Sequence, residues 1–333
     1  MASMSSLEST EGTPIRSSAR IHGLDAYRGV LMMLGVVIHV AMVFIPREWG
    51  GWSNYSLTWE SYGVWWAANT VHAFRMPAFF VLAGFFAALL WQRHGPRGML
   101  ENRFERLVLP FAVFVVFLPP VVHASRGFIN TVNAGTGSPW ASAWGALKEQ
   151  PFLPDSTMHL WFVYDLIFII IAGALVLSLL RRLNLSWPGL LGFLRRSVEG
   201  PWRSLLVFGL ANALWCLSLE WTSIPTTDRW SSDPWILSYY FIIYGIGWML
   251  FTAETDVEKL QSRAWTLTLI GLFCTGLHAG AGVSLIGFDE QEGVTPPPEI
   301  LAAQVTQMVC SSIALVSLSR GLGGLFLRYA GSG

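Results

Sequence analysis

Residues 71–91 read VHAFRMPAFFVLAGFFAALLW, an apolar run that is long enough to cross a lipid bilayer as a helix. A spanning helix needs about 20 mostly apolar residues. The run belongs to a longer apolar stretch, residues 63–91, which predicts a helix that tilts or extends past the bilayer. Two ionisable residues, His72 and Arg75, interrupt it, and such groups are costly in a membrane and usually functional. The run therefore predicts both a membrane fold and a first candidate site.

Seven further stretches have the same character, which predicts an all-α polytopic transmembrane helical bundle of about eight spans. The predicted spans are residues 24–45, 63–91, 107–122, 160–180, 204–220, 235–252, 264–286 and 299–319. The composition agrees, because 53% of the residues are hydrophobic and only 13% are charged. We expect the Ser/Thr-rich residues 1–20 to be a disordered cytoplasmic N-terminus. We expect residues 21–333 to form one transmembrane domain that interacts with the lipid bilayer.

Basic residues are distributed unevenly between the two predicted sides of the bilayer. Fifteen Lys and Arg residues fall in the N-terminus, the second, fourth and sixth connections and the C-terminus. The other side has four: Arg47, Arg126, Lys148 and Arg229. Cytoplasmic loops carry the basic excess, so the N-terminus is predicted to be cytoplasmic. The formal net charge of zero argues against a nucleic-acid partner.

The longest predicted connection, residues 123–159, lies on the outer side and contains Trp140 and Trp144 among Gly, Ser and Pro residues. It can be a surface loop or a partly re-entrant lid, and the surface loop is the favoured interpretation because long segments of this composition usually are loops. The third span is predicted to end at Pro119-Pro120.

The first predicted span contains Asp25, Arg28 and His39. Eleven residues separate Arg28 from His39, close to three full turns, so both project from one face about 16 Å apart. His72 and Arg75 share a face of the second span at a spacing of three. His39 and His72 fall at comparable depth below the outer surface, about 10–15 Å. These residues predict a polar catalytic centre, and a purely structural hydrogen-bond network between the helices is the alternative.

Two other pairs of residues are weaker candidates. Arg103 and Arg106, in ENRFERLVLP, can clamp phosphates or can simply anchor the chain on the basic side. His159 and Asp165, in HLWFVYD, lie at the outer end of the fourth span, where Asp165 can orient a nearby imidazole. His278 is interpreted as an isolated structural residue. The chain has no Walker, Rossmann, zinc or Gly-x-Ser-x-Gly pattern, so no metal and no tightly bound cofactor is expected.

Several of these motifs resemble the acyltransferase 3 family of bacterial membrane proteins. They are LDAYRG with the later His39, FFVLAGFF at residues 79–86, the Arg-x-x-Arg of residues 103–106 and HLWFV at residues 159–163. The similarity covers roughly residues 20–170 and looks closest to the branch that contains glucan biosynthesis protein C, a glucan succinyltransferase. Ala83 departs from the Ser that is common in the family. Family members usually have about ten spans, so a C-terminal span is expected to be missing from this chain.

The resemblance implies an acyl-CoA co-substrate on the cytoplasmic side of a bacterial inner membrane and a glycan hydroxyl as acceptor on the other side. Arg28, Arg103 and Arg106 would then bind the donor. His39 would act as general base, and Arg75 or His72 would stabilise the oxyanion. Asp25 and His159 are further candidates. Direct transfer and an acyl-enzyme intermediate both stay open, as do the acyl group and the oligomeric state.

Two other classes of function compete with an enzyme. A transporter or glycan flippase can use Asp25, Arg28, His39 and His72 as a proton relay. A non-catalytic membrane scaffold is the third possibility, but it leaves the cost of so many intramembrane ionisable groups unexplained. The order of the motifs favours the acyltransferase.

Overall fold

The computed structural model describes residues 18–45, 59–135, 137–149, 154–185, 187–222, 224–227, 229–285 and 297–330. The described residues form twelve α-helices: α1 (Ser18–Met42), α2 (Trp59–Arg103), α3 (Leu109–Ala134), α4 (Pro139–Glu149), α5 (Trp161–Arg182), α6 (Pro188–Glu199), α7 (Pro201–Ser204), α8 (Leu210–Ser218), α9 (Pro234–Thr252), α10 (Val257–Gln261), α11 (Ala264–Val283) and α12 (Pro298–Tyr329). Two π-helical segments, Phe104–Val108 and Leu205–Gly209, continue the helices beside them. The predicted all-α class is confirmed. Arg47 and residues 1–17 lie outside the described residues, and α1 already includes residues 18–20.

Six helical stretches of the described chain are long and apolar enough to cross a membrane, whereas eight spans were predicted. Two predicted spans, 63–91 and 107–122, fall in one stretch, Tyr62–Ala134. The break between them is at Gly95, where φ is 70° and ψ is −179°, a conformation that essentially requires glycine. The predicted span 204–220 coincides with α7, the second π-helical segment and α8, none of which is long enough alone.

The third span and the connection after it differ from the prediction. Helix α3 continues through Pro119 and Pro120 to Ala134, so the prolines do not end it. Membrane helices tolerate proline because neighbouring groups satisfy the freed backbone carbonyls. Most of the described part of the predicted loop 123–159 is helical, because α4 folds back along α3. Gly127 lies at this contact and suits close packing, since a Cβ there would lie 3.1 Å from the carbonyl oxygen of Ser142.

The chain divides into two compact units. Unit 1 comprises Met1–Phe85, Trp187–Ile224 and Ile246–Gly333. Its centre is the pair α11 and α12, which approach closely because Gly321 has no side chain. A Cβ at that position would lie only 2.7 Å from the backbone nitrogen of Thr268. Helix α1 packs on α12 through Tyr27, whose ring stacks on Phe326 with centroids 5.2 Å apart.

One end of unit 1 is closed by a junction of three chain segments. Arg320 of α12 donates to the carbonyl oxygens of Val198 and Glu199 at 2.9 and 2.8 Å, and to that of Lys259 at 3.0 Å. The end of α6, the α10 segment and the C-terminal half of α12 therefore meet. The basic residues had predicted that these connections lie on the same side of the bilayer, and their contact agrees with that prediction.

Unit 2 comprises Phe86–Ser186 and Pro225–Gly245. It contains the α3–α4 hairpin and α5. An aromatic cluster ties α3 and α5 to the segment before α9: the Tyr164 ring stacks on Phe111 with centroids 5.7 Å apart, and its hydroxyl donates to the Trp230 carbonyl at 2.8 Å. The Trp230 indole in turn donates to the carbonyl of Pro154 at 2.7 Å.

Candidate active site

The basic end of α1 presents Arg28 beside a buried tyrosine. Tyr27 is 3% exposed, and its hydroxyl donates to the carbonyl of Ser319 at 3.3 Å. Arg28 forms a salt bridge of 3.0 Å with Asp25, and both side chains are 42% exposed. Tyr27 thus fixes the rotation of α1, while Arg28 and Asp25 stay partly open to ligands at this end.

Helix α1 and helix α2 meet at Gly35 and Arg75. A Cβ on Gly35 would lie 2.7 Å from Arg75 Nη1, so the guanidinium rests on α1 where no side chain is present. His39 is one turn further along, on the same face as Gly35. Because helical side chains lean toward the N-terminus, we expect the His39 ring over the turn that Arg75 contacts. The Nδ1 atom of His39 is buried.

Hydrophobic packing next to this contact holds the two helices in place. Ile38 of α1 and Ile45, three residues after its end, are buried against Ala68 of α2, and Trp65 and Val71 pack around them. Because Ile38 directly precedes His39, this packing holds the His39 turn of α1 against α2.

His72 points toward a different set of partners. Its ring lies near the backbone of Ile224, and Arg75 and His278 are close enough to interact with it electrostatically. The prediction that His278 is isolated is therefore wrong. Its Nδ1 lies 3.2 Å from the carbonyl oxygen of Gln307, and the Gln307 amide donates back to the His278 carbonyl at 3.5 Å.

A hydrogen bond joins α2 and α11 close to the two histidines, on helices that run in opposite directions. Thr70 donates to Thr275 through their hydroxyl groups at 2.9 Å, and both side chains are buried. Thr70 precedes His72 by two residues, and Thr275 precedes His278 by three. No pattern within the sequence signals this arrangement, because a single histidine in an apolar run does not identify the helix that it faces.

Asp165 and His159 belong to unit 2 and have their own partners there. Asp165 is fully buried, and its Oδ1 accepts a hydrogen bond from the Ser232 hydroxyl at 2.5 Å. Among the described residues no imidazole hydrogen-bonds to this carboxylate. His159, in the short 3-10 helix Met158–Leu160, is near the Arg126 guanidinium instead.

The two arginines of the Arg-x-x-Arg motif are separated by the local structure. Arg103 ends α2 and Arg106 lies in the π-helical segment, which changes the angle between successive side chains. Arg103 lines an open groove of ≈ 410 Å³, together with Glu101 and Glu105 and the apolar residues Leu100, Phe104, Leu107, Val108, Ile167, Ile170 and Ile171. Arg106 is exposed and does not line it. The spacing alone had favoured an anchoring role for the pair on the basic side and did not distinguish the two arginines.

Within unit 1 the structure brings Arg75 to the turn of α1 that precedes His39. It also brings His278 near His72. Arg28 lies in the same unit on α1. Asp165, His159, Arg103 and Arg106 lie in unit 2. A general base and a cation at one turn of α1 can perform acyl transfer, because the first can take a proton and the second can hold a developing negative charge.

Comparison with known proteins gives the chain a family. Glucans biosynthesis protein C from Salmonella paratyphi B, Salmonella heidelberg and Salmonella enteritidis is 26% identical over 155 residues, which are 45% of this chain. The match covers only 37% of the length of these relatives. No solved structure matches the chain. Residues 21–319 match the acyltransferase domain family known as acyltransferase 3, so the resemblance seen in the motifs is confirmed and the chain belongs to that family.

Proposed function

We propose that the chain is a membrane O-acyltransferase that moves a succinyl or acetyl group from acyl-CoA, on the basic cytoplasmic side, to a hydroxyl of a periplasmic or cell-surface glycan. Membership of the acyltransferase domain family supports the reaction class. The similarity to glucans biosynthesis protein C supports a glucan as the acceptor. The multi-pass fold suits the bacterial inner membrane, with the N-terminus in the cytoplasm.

The contact of Arg75 with Gly35 carries the proposal. It puts a guanidinium on the turn of α1 that precedes His39, and side chains of a helix lean toward the preceding turn. A neutral imidazole and a fixed cation are the two groups that acyl transfer to a hydroxyl needs at its reacting carbon. Gly35 leaves space for them, since it has no side chain of its own.

In the proposed reaction His39 takes the proton of the glycan hydroxyl as its oxygen attacks the thioester carbonyl of acyl-CoA. The tetrahedral oxyanion that forms is stabilised by Arg75, a contribution of about 3–4 kcal/mol for a well-placed donor. Collapse of the intermediate breaks the carbon–sulfur bond. The CoA thiolate leaves and takes the proton from His39, which restores the neutral base.

His72 has a supporting part in this scheme. Arg75 is the better candidate for the oxyanion, because it keeps its positive charge and rests on α1 at Gly35, one turn before His39. Asp165 is bonded to Ser232 and its contacts favour a structural role in unit 2 over the orientation of an imidazole. His159 faces Arg126 and is a candidate contact for the acceptor.

On the donor side Arg28, in unit 1, and Arg103, in unit 2, are each proposed as a contact for the phosphates of CoA. Arg28 is partly exposed at the basic end of α1. Arg103 lines the groove, and the apolar residues there suit the uncharged part of the donor. Arg106 lies outside the groove and is the weaker candidate of the two for binding the donor.

The test is acyl transfer by the purified chain in lipid nanodiscs. Succinyl-CoA or acetyl-CoA labelled in the acyl group is supplied with a glucan acceptor, and label on the glucan is measured. Label on the glucan from the parent, but not from His39→Ala, would support the proposal. A parent that releases no CoA and labels no glucan with either donor would contradict it.

A further inference from the structure

We propose that unit 1 binds an anionic phospholipid headgroup at a boundary site formed by Phe193, Trp202, Arg203 and Arg263. The ligand class is a phosphodiester headgroup in the leaflet that faces the basic side. This binding site is separate from the acyl-transfer chemistry, and it is independent of the proposed function.

A continuous apolar stripe on one helical face leads to this site. Trp202, Leu206, Leu210 and Leu214 follow one another at intervals of four through α7, the π-helical segment and α8, and each is between 50% and 67% exposed. An exposed stripe of this length on a membrane protein marks the surface that faces lipid chains. Trp202 is its first residue on the basic side.

A second stripe on the other side of the site has the same order. In α11, Trp265, Leu269, Phe273 and Leu277 are between 45% and 68% exposed, again at intervals of four. This stripe also begins with a tryptophan at the basic end. Because tryptophan prefers the level of the headgroups, Trp202 and Trp265 place the boundary between hydrocarbon and headgroups at this height.

Two arginines rest on aromatic rings at that boundary. The Arg263 guanidinium lies over the Trp202 ring at 5.7 Å from its centroid, and the Arg203 guanidinium over the Phe193 ring at 5.9 Å. Both arginines are exposed, and neither forms a salt bridge with a described residue. Cations held against rings at headgroup level are in the right place for a phosphate.

Helix α6 completes the site as an amphipathic helix. Leu191 and Val198 face the protein, Leu190 and Phe193 are partly exposed beside them, and Arg196 is exposed on the polar face. Such a helix lies in the plane of the interface when its apolar side chains reach the acyl chains and its basic residues the headgroups. A soluble protein or a nucleic acid would not account for the apolar stripes that continue below the arginines.

The experiment is native mass spectrometry of the full, delipidated chain titrated with phosphatidylglycerol or with phosphatidylethanolamine. Phosphatidylglycerol should bind more tightly to the parent. Removing both charges in Arg203→Gln/Arg263→Gln should weaken its binding about 25-fold, since one basic residue near an anionic lipid is worth about fivefold. The control is Arg93→Gln/Arg97→Gln, which removes two exposed charges elsewhere and should keep the parental affinity.

A second double variant distinguishes charge from packing, and a soluble competitor distinguishes a lipid from a free phosphate. Arg203→Lys/Arg263→Lys keeps the charges and should keep most of the binding. Equal loss in the Gln and the Lys variants would show that packing, and not charge, is responsible and would overturn the proposal. Glycerol phosphate should fail to displace the lipid. Displacement by it would identify the site as one for soluble phosphates and overturn the proposal, as would unchanged phosphatidylglycerol affinity in the Gln variant.

Discussion

The guanidinium of Arg75 lies against the backbone of α1 at Gly35, where a Cβ would come within 2.7 Å of Nη1. The atom that would clash is the end of a flexible side chain. A methyl group at position 35 would therefore move the guanidinium without breaking the packing of Ile38 and Ile45 on α2. Gly35 is a positioning residue in this arrangement, because it acts on the reaction only through Arg75.

Gly35→Ala should lower kcat for acyl transfer by about tenfold to a hundredfold, because part of the oxyanion stabilisation by Arg75 is lost. The KM for acyl-CoA should change little. The control is Gly29→Ala in the same helix, where a Cβ would meet nothing within 4 Å. Steady-state kinetics on both variants give the answer, and equal kcat values for the two would contradict a role for the Arg75 contact.

His39→Ala should lower turnover by about 10²–10⁴-fold, the usual effect of removing a general base. Insertion into the membrane should be unaffected, because His39 is only partly buried. The matched control is His22→Ala, an exposed histidine in the same helix. Transfer of labelled acyl groups at the parental rate by purified His39→Ala would leave that residue without a catalytic role.

Much of the fold could be predicted because apolar length is a local property of the chain. The first, fourth, sixth, seventh and eighth predicted spans correspond to helices that can cross a membrane. The α3–α4 hairpin could not be predicted in this way. Its helices form because α4 packs on α3 at Gly127, a tertiary contact that loop composition does not reveal.

The candidate site was predictable only within single helices. The shared face of His72 and Arg75 follows from their spacing, and so does that of Arg28 and His39. The partners from other segments do not follow: His278 near His72, and Ser232, in the segment before α9, on Asp165. The π-helical segment after Arg103 also has no sequence signal, yet it separates that residue from Arg106.

The groove that Arg103 lines, and Arg106 does not, predicts different roles for these two arginines. Arg103→Gln should raise the apparent KM for acyl-CoA roughly tenfold to a hundredfold, which corresponds to the loss of a charge-assisted hydrogen bond of about 1.5–3 kcal/mol. Arg106→Gln, outside the groove, should change it less than threefold. Titrations of acyl-CoA at saturating glycan test both. An equal rise of the apparent KM in the two variants would show that both arginines bind the phosphates. An unchanged KM in both would show that neither does.

The orientation of the chain can be tested with cysteines at two exposed positions. Ala141→Cys in α4 should react with an impermeant thiol reagent in intact cells, because the basic residues predict that this hairpin is outside. Gly189→Cys in α6 should react only after the cells are lysed. The native cysteines Cys216, Cys274 and Cys310 are buried and give the background. Labelling of Gly189→Cys alone in intact cells would reverse the assignment of donor and acceptor sides.

The junction at the basic end of unit 1 should make stability depend on pH through Glu199. Its carboxylate accepts hydrogen bonds from Arg195 Nε at 2.8 Å, the Asp256 backbone nitrogen at 3.1 Å and Lys259 Nζ at 3.1 Å. Burial alone would raise the pKa of Glu199, but these three partners outweigh it and hold the pKa below its usual value. The ionised form is thus the one that the folded protein favours.

A carboxyl group whose pKa is lower in the folded protein contributes stability that is fully present above its unfolded pKa of about 4.3. That contribution is lost as the pH falls through the lower, folded pKa. Glu199→Gln should therefore destabilise the protein at neutral pH by about 1–3 kcal/mol, a fall of several degrees in Tm. The difference in Tm between the variant and the parent should shrink as the pH drops below about 4.

Glu101→Gln is the matched control for Glu199→Gln. Glu101 also accepts a hydrogen bond from an arginine one turn away, Arg97, but its side chain is 61% exposed, whereas that of Glu199 is 9% exposed. Exposed pairs of this kind contribute about 0.3–0.5 kcal/mol, so the control should hardly change Tm at any pH. Thermal unfolding followed by tryptophan fluorescence between pH 3.5 and 8 measures both variants. A constant difference across that range would show that Glu199 acts through its shape and not through its charge, because only the charge is lost on acidification.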